Sequence, residues 1–315
     1  MLEKPPVDVA HAGLRALKTL AQADGAFSEV ERGLLRDVQR HILDTDFDLD
    51  ALTPITPEAL AAAIPQERFR RRVLSGLVLL TVMDGELSEA ERRLVDDFSA
   101  ALGVETAELR DMRRLADRRI LALRVGLLRR FTPAILLRRE WKERGLRGIT
   151  RFVQQLIVPE NPSLAARYQA LEDLPEGTLG RAYFDFIRGN GFSFPGEAGS
   201  PPEVIIFHDC NHVLSGYGTT PEEEAQIAAF HAGYHKEDPF GLLMFALVQF
   251  HMGVKVAPVA EGELGRVPPD LLLRAFARGA KMKRDLFEDW RPQDDFETPV
   301  ADLREAFGIE PRDEA

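Results

Sequence analysis

The sequence predicts an all-α protein of two helical domains joined by a basic helical connector, and three observations support this fold class. Apolar residues recur at helical spacing in most of the chain. Serine or threonine followed three positions later by glutamate recurs before such stretches, as at helix starts. Little strand signal exists beyond the short apolar run 204–207. We place the first domain at residues 1–105, the connector at 106–145 and the second domain at 146–315, since 315 residues suffice for two cores.

The first domain contains an internal repeat of the form Asp-Gly-x-x-Ser-x-x-Glu, with its copies 60 residues apart. The repeated residues are Asp24, Ser28 and Glu31 in the first copy and Asp84, Ser88 and Glu91 in the second. Glycine favours a tight turn, and the serine and glutamate of each copy predict a capping box at a helix start. Capping alone explains the pattern. The alternative is that the four carboxylates hold a cation through oxygen ligands.

The segment from 110 to 151, which includes most of the connector, is rich in arginine with leucines interleaved. The arginines include Arg113, Arg114, Arg118, Arg119, Arg124, Arg129, Arg130, Arg138 and Arg139. Two interpretations fit this pattern: a solvated helix between two acidic domains, or an amphipathic helix on an anionic membrane surface. The net charge of -11 argues against indiscriminate nucleic-acid binding by the whole chain. A single cysteine, Cys210, and the absence of a signal-peptide pattern predict a cytoplasmic protein.

Five of the seven histidines fall between residues 208 and 251. If the segment after 207 is helical, His208 and His212 stand one turn apart on one face, and Asp209 lies on its flank. Two imidazole nitrogens and a carboxylate are ligand types for a transition-metal ion. By contrast, Cys210 is expected to point away from that face as a small buried apolar residue.

A second helix is predicted to start at Thr220, with Pro221 in its first position and Glu223 closing a capping box. Glu224 then has no local role, and an antiparallel helix pair would return it toward His208 and His212. The sequence therefore predicts a divalent-metal site at His208, Asp209, His212 and Glu224. The alternative treats the histidines as partly buried polar residues and the glutamates as a solvated helix start.

Two other features of the second domain have more than one interpretation. His231 shares the face of Glu224, so that it could belong to the core or contact the site. The apolar stretch 240–256 fits a buried core helix, and its phenylalanines would also fit the lining of a lipid pocket.

The duplicated motif, with Leu-Gly-Val at 102–104, resembles the TerB (tellurite-resistance B) helical domain over residues 8–105. That resemblance implies an all-helical module of about a hundred residues with acidic repeats that could bind a metal, and it does not imply catalysis. It leaves a second interpretation of the whole chain open: a stress-response or interaction module with a structural metal site.

His-Asp-x-x-His followed by eleven residues and Glu resembles the signature of the ubiquinone biosynthesis family called Coq-four (coenzyme Q protein four). The segment Leu-Pro-Glu-Gly-Thr-Leu-Gly at 174–180 and the closing part of the chain, with Trp290 and Leu303-Arg304, agree with this family. The match covers residues 146–315. The TerB-like half is foreign to the ordinary family member, and the region before Leu174 is shortened.

The Coq-four resemblance implies a divalent ion, usually zinc (Zn²⁺), held by His208, Asp209, His212 and Glu224. It implies as partners an isoprenoid quinone precursor or another lipid, and other ubiquinone-biosynthesis proteins, at the inner face of a membrane, with no nucleic acid. Two roles come with the family: a scaffold for other enzymes, and removal of the carboxyl group at ring carbon one with installation of a hydroxyl. The sequence leaves open whether the protein is an enzyme.

Overall fold

The computed structural model describes residues 3–25, 27, 29–83, 88–131, 160–200, 203–256, 267–287 and 290–312, and these residues form an all-α protein. Within them no strand forms, and the isolated bridge between Thr178 and Pro299 is the nearest approach to one. The helices are α1 Val7–Ala21, α2 Glu29–Asp37, α3 Pro57–Ala63, α4 Glu67–Met83, α5 Glu89–Leu102, α6 Ala107–Ala116, α7 Ile120–Phe131, α8 Pro162–Gln169, α9 Leu179–Gly189, α10 Ile206–Ser215, α11 Pro221–Tyr234, α12 Pro239–Ala246, α13 Pro269–Ala280 and α14 Val300–Phe307. A π-helical turn follows α2 at Val38–Leu43 and another follows α12 at Leu247–His251.

The second copy of the acidic repeat forms the predicted helix cap. Ser88 accepts from the backbone N–H of Glu91 at 3.1 Å, and the Glu91 carboxylate accepts from the N–H of Ser88 at 3.1 Å. This pair is the predicted capping box, and the helix ends at Gly103 with a φ of +64°. Ser28, Asp84 and the turn 84–87 lie outside the described residues, so the cation alternative stays untested there.

The second half of the chain is organised around the packing of α11 against α13. These two helices approach so closely at Gly233 and Gly279 that each glycine lies against the backbone of the opposite helix. A Cβ atom on Gly279 would lie 2.0 Å from the carbonyl oxygen of Phe230. Helix α11 also packs against α12. Most residues of α12 and of the π turn that follows it are buried, and both lie within the apolar stretch 240–256. This confirms the core interpretation for residues 241–250, of which only Phe245 is partly exposed, whereas residues 251–255 are partly or fully exposed.

The two halves of the chain are in contact. Helix α12 packs against α4, α6 and α7, and α13 packs against α2 and the turn Val38–Leu43. The buried apolar side chains of both halves belong to one continuous cluster. The all-α fold class is therefore confirmed, whereas the division at 106–145 into two separate domains stays a prediction.

The predicted connector is helical where it is described. It contains α6 and α7, and residues 132–159 lie outside the described part. Among the described helices, none combines the length and the apolar character that crossing a membrane requires.

The segment 174–180 packs against the turn before α14. The N–H of Gly180 donates to the carbonyl of Phe296 at 2.8 Å, and the N–H of Leu179 donates to the carbonyl of Thr298 at 2.9 Å. A Cβ atom at position 180 would lie 2.5 Å from Cδ1 of Leu174 and 3.0 Å from the carbonyl oxygen of Phe296, so a larger residue there would force both groups to shift. The Leu-Pro-Glu-Gly-Thr-Leu-Gly segment therefore holds the N-terminal end of α9 against the turn that precedes α14.

Candidate metal centre

Helix α10 presents His208 and His212 on one face, as their spacing predicts. Its opposite face is apolar and buried, and it includes Cys210, which is fully buried and free. Burial, followed by the nearby charge of Asp209, raises the pKa of the Cys210 thiol well above its ordinary value. The thiol is therefore protonated at neutral pH and acts as the small buried apolar group that the sequence predicts.

Helix α11 brings Glu224 to the two histidines. Thr220 caps this helix by accepting from the N–H of Glu223 at 3.3 Å, and Pro221 occupies the first turn. The chain turns between the helices at Gly216, where φ is +78°. Glu223 contacts the Thr220 hydroxyl at 3.0 Å and the Arg312 guanidinium at 2.9 Å, so it is engaged locally while Glu224 is left facing α10.

Three side chains converge in this arrangement. Nε2 of His208 lies 3.8 Å from Oε2 of Glu224, and Nε2 of His212 lies 3.5 Å from Oε1 of the same carboxylate. One ligand atom from each residue lies within 4.8 Å of the others. In a tetrahedral zinc site with ligands about 2.0–2.1 Å from the ion, neighbouring ligand atoms lie about 3.3–3.4 Å apart. The donor types fit a zinc-like ion, and the two histidine–glutamate separations are close to this spacing, whereas the widest separation in the group, within 4.8 Å, would have to shorten around an ion.

Asp209 occupies a different position from the other three predicted ligands. Its Oδ1 lies 3.6 Å from Nδ1 of His208, the ring nitrogen other than the one nearest Glu224. A carboxylate at the second nitrogen of a ligating imidazole orients the ring and holds its proton on that side. The 3.6 Å separation is longer than a hydrogen bond, but the placement favours Asp209 as a residue that orients His208 and leaves three side chains as candidate direct ligands.

His212 is held in the tautomer that leaves Nε2 free. Its Nδ1 lies 3.1 Å from the carbonyl oxygen of Tyr217, and because a carbonyl only accepts, Nδ1 must carry the proton. The ring of Phe186 stacks on the imidazole with centroids 5.2 Å apart and planes inclined by 21°. His212 is therefore fixed in both rotation and protonation, with its lone pair directed to Glu224.

Two arginines near the end of the chain support the turn that carries Tyr217. Arg304 donates to the carbonyl of Leu214 at 2.9 Å, and Arg312 donates to the carbonyl of Gly216 at 3.2 Å. The Arg312 guanidinium also lies 4.9 Å from the ring centroid of Tyr217. The two guanidinium groups satisfy free backbone carbonyls at the C-terminal end of α10. They thereby fix the turn whose Tyr217 carbonyl determines the tautomer of His212.

The ionisable groups of the site differ in how burial affects them. Burial, and next the charge of His208, lowers the pKa of His212 to about 3, so that its imidazole is neutral at pH 7. Burial raises the pKa of Glu224, although His208 opposes this effect. Burial lowers the pKa of His208, but Asp209 and Glu224 outweigh it and the net shift is upward. A neutral imidazole beside a carboxylate destabilised by burial is a pair that a divalent cation would stabilise.

His231 and His235 lie behind the site in the core. The ring of His231 meets that of His208 edge to face at 5.4 Å, and His231 is buried among Phe207, Phe230 and Phe287. His235 instead pairs with the buried carboxylate of Asp285, at 3.3 Å. Neither histidine belongs to the converging group and both are buried, so His231 lies in the core and also contacts the site through the ring of His208.

The fold and this site define a helical protein with one candidate metal centre in the described part of the chain. Among those residues no other group of three His, Cys, Asp or Glu side chains brings its ligand atoms together in this way. No protein-family model matches the chain, and no curated protein matches it.

Proposed function

We propose that this protein binds a divalent metal ion, zinc in the first instance, through His208, His212 and Glu224. The observation that carries the proposal is the convergence of two Nε2 atoms on one half-buried carboxylate from a neighbouring helix. Histidine nitrogen and carboxylate oxygen are the donors that zinc takes in proteins. His208 keeps 34% of its side-chain surface exposed and Glu224 keeps 24%, so that an ion and a small ligand could reach the site.

The surrounding residues have distinct tasks in this proposal. Asp209 holds the His208 ring from its other nitrogen, and the Tyr217 carbonyl does the same for His212. Phe186 covers the face of His212 and keeps water from it. The C-terminal arginines fix the turn between the two metal-binding helices.

A set of three protein ligands supports a chemical role over a purely structural one. Structural zinc sites are closed by four protein ligands, whereas catalytic sites have three and keep a position for water or substrate. When bound, such an ion polarises a carboxylate or phenolate oxygen and stabilises the charge that develops on it. We propose accordingly that the protein acts in ubiquinone biosynthesis on the carboxyl-bearing ring carbon of a long-tailed quinone precursor, as the Coq-four resemblance implies. Such a lipid would place the protein at the inner face of a membrane.

Elemental analysis of the purified protein tests the metal site. We expect about one ion per chain in the native protein and none in a His208→Ala/His212→Ala variant, because the carboxylate alone binds zinc weakly. His11→Ala serves as the matched control, since His11 lies in α1 outside the site and packs edge to face on Phe47. Equal metal in all three proteins, or none in any after zinc is added to folded protein, would remove the proposal.

The position of Asp209 gives a separate prediction. Asp209→Asn is expected to keep one ion per chain but to weaken zinc affinity about 10–100-fold, the effect usual for residues that orient a ligand. Competition with a chromogenic chelator measures the affinity. Asp185→Asn, on α9 and paired with Arg181, is the control and should bind as the native protein does. Complete loss of the ion in Asp209→Asn would instead make Asp209 a direct ligand.

The substrate class is tested with the zinc-loaded protein and a prenylated hydroxybenzoic acid as the probe. Mass spectrometry should detect a product that has lost the carboxyl group as carbon dioxide and gained a hydroxyl from water, with molecular oxygen supplied as the two-electron oxidant and reduced to hydrogen peroxide. Binding of the probe without turnover, abolished in the His208→Ala/His212→Ala variant, would point to the scaffold role. No binding in either protein would contradict the quinone assignment and leave the metal site intact.

A further inference from the structure

Helix α7 has one face in the core and another exposed. Leu123 and Leu127 are fully buried. Leu121 is 76% exposed and Val125 is 40% exposed, and both belong to the small group of large apolar side chains that the described surface exposes this far. Because they stand four positions apart, they lie on the same side of the helix, one turn from each other.

Arginines surround this exposed apolar pair. Arg118 and Arg119 are exposed just before α7, and Arg124 lies between Leu121 and Val125 in the chain. Within the described residues no carboxylate forms an ion pair with any of the three, in contrast to Arg113 and Arg114 on α6, which pair with Asp96 and Asp111. We call Arg118, Arg119, Leu121, Arg124 and Val125 the α7 patch.

The charge of the chain is distributed unevenly around the α7 patch. Residues 110–151 contain 14 Lys and Arg against 4 Asp and Glu, a net of +10. The remainder contains 26 Lys and Arg against 47 Asp and Glu, a net of -21. A basic stretch in an otherwise acidic protein is selective for an anionic partner, because the rest of the surface repels that partner.

Arg118 stands in a backbone conformation that favours glycine. Its φ is +54°, in the left-handed region, and a non-glycine residue there costs roughly 1 kcal/mol. The turn between α6 and α7 would be more stable with glycine at this position. A long cationic side chain thus stands at a strained turn three positions before the exposed Leu121, which favours a role for that charge at the surface.

We infer that the α7 patch docks on an anionic phospholipid surface, with α7 lying in the plane of the headgroups. A nucleic acid would use the arginines but offers little to Leu121 and Val125, whereas the headgroup boundary takes up both charge and aliphatic side chains. The helix is not one that could cross the membrane.

Helix α7 is connected to the candidate metal centre through one intervening helix. Helix α7 packs against α12, and α12 packs against α11, which carries Glu224. Two helix-to-helix contacts thus connect the patch to the site. This part deepens the proposed function and rests on it, since it names the surface from which a lipid substrate would come.

Vesicle flotation of the full-length protein tests the patch. We expect binding to vesicles of phosphatidylcholine mixed with phosphatidylserine, weaker binding at high salt, and little binding to phosphatidylcholine alone. Leu121→Ser/Val125→Ser should abolish the remaining salt-resistant binding. Arg119→Ser and Arg124→Ser should each weaken binding about five-fold, from roughly 1 kcal/mol per arginine near such a surface. Arg118→Gly should weaken binding to the same extent while making the protein more resistant to urea, which a merely structural arginine would not do.

The controls are exposed residues of the same type elsewhere. Val7→Ser changes a valine that is 68% exposed at the start of α1, and Arg93→Ser changes an exposed arginine on α5. Both should bind vesicles as the native protein does. Equal binding to both kinds of vesicle, unchanged binding in the patch variants, or arginine-dependent binding to duplex DNA in place of vesicles would overturn the inference. Zinc content measured on the same samples separates the two proposals. Vesicle binding by a protein that holds no zinc contradicts only the proposed function. Zinc binding by a protein that does not bind vesicles contradicts only the inference about the α7 patch.

Discussion

Replacing Gly279 by alanine is expected to destabilise the protein by about 3 kcal/mol. The new Cβ atom would lie 2.0 Å from the carbonyl oxygen of Phe230 and 3.2 Å from Cα of Gly233. These are backbone atoms of α11, so no side chain can rotate away and the helices must separate. Their separation would open the most extensive helix pair in the described chain, which also supports the helix of Glu224.

Urea unfolding of the metal-free protein measures this effect. Gly76→Ala is the matched control, because Gly76 lies inside α4 and a Cβ atom there would meet nothing within 4 Å. That variant should gain up to about 1 kcal/mol, since alanine is the better helix former. If Gly279→Ala were as stable as the native protein, α11 and α13 would not be in backbone contact.

The helical fold and the three converging side chains could be predicted from the sequence because local rules determine both. Spacing of four places His208 and His212 on one face, and the turn at Gly216 followed by the cap at Thr220 sends the chain back along α10. Glu224 was assigned to the site by elimination, because its neighbour Glu223 already had a role at the start of the helix. The same local chemistry gave the capping box of Ser88 and Glu91.

The residues that complete the site were beyond sequence reasoning, because their partners lie far along the chain. Arg304 and Arg312 contact carbonyls 90 or more positions away, and nothing near them in sequence indicates that contact. The stacking of Phe186 on His212 depends on how α9 packs against α10. Among the predicted residues, Asp209 needed side-chain geometry to be distinguished from a direct ligand, since its spacing fits either role.

The close approach of α11 and α13 was also missed. Two glycines 46 positions apart carry no local signal that they meet. From the sequence, a glycine inside a helix is expected only to lower the stability of that helix. Here the close packing of α11 against α13 outweighs that cost.

Acid should unfold the metal-free protein early, because two buried histidines have lowered pKa values. Burial lowers the pKa of His212 to about 3 and lowers the pKa of His231 well below its ordinary value. The native state therefore leaves His212 unprotonated at pH 5 and resists protonation of His231, while the unfolded chain protonates both below about pH 6.5. Stability is then fully present above pH 6.5 and falls with pH, by roughly 2 kcal/mol for His212 between pH 6.5 and 5, and His231 adds a loss in the same direction. His208 offsets part of this loss, since its pKa is raised.

Urea unfolding of chelator-treated protein at a series of pH values checks the sign and the size. His231→Leu should flatten the dependence by the contribution of one histidine, because leucine fits among the rings of Phe207, Phe230 and Phe287 and takes up no proton. His11→Leu, in α1, should retain the full loss between pH 6.5 and 5. A native protein equally stable at both pH values would mean that these imidazoles reach water in the folded state. The same pH range should release the metal, since His212 must be unprotonated both to fold and to bind it, so that acid stability and metal affinity fall together.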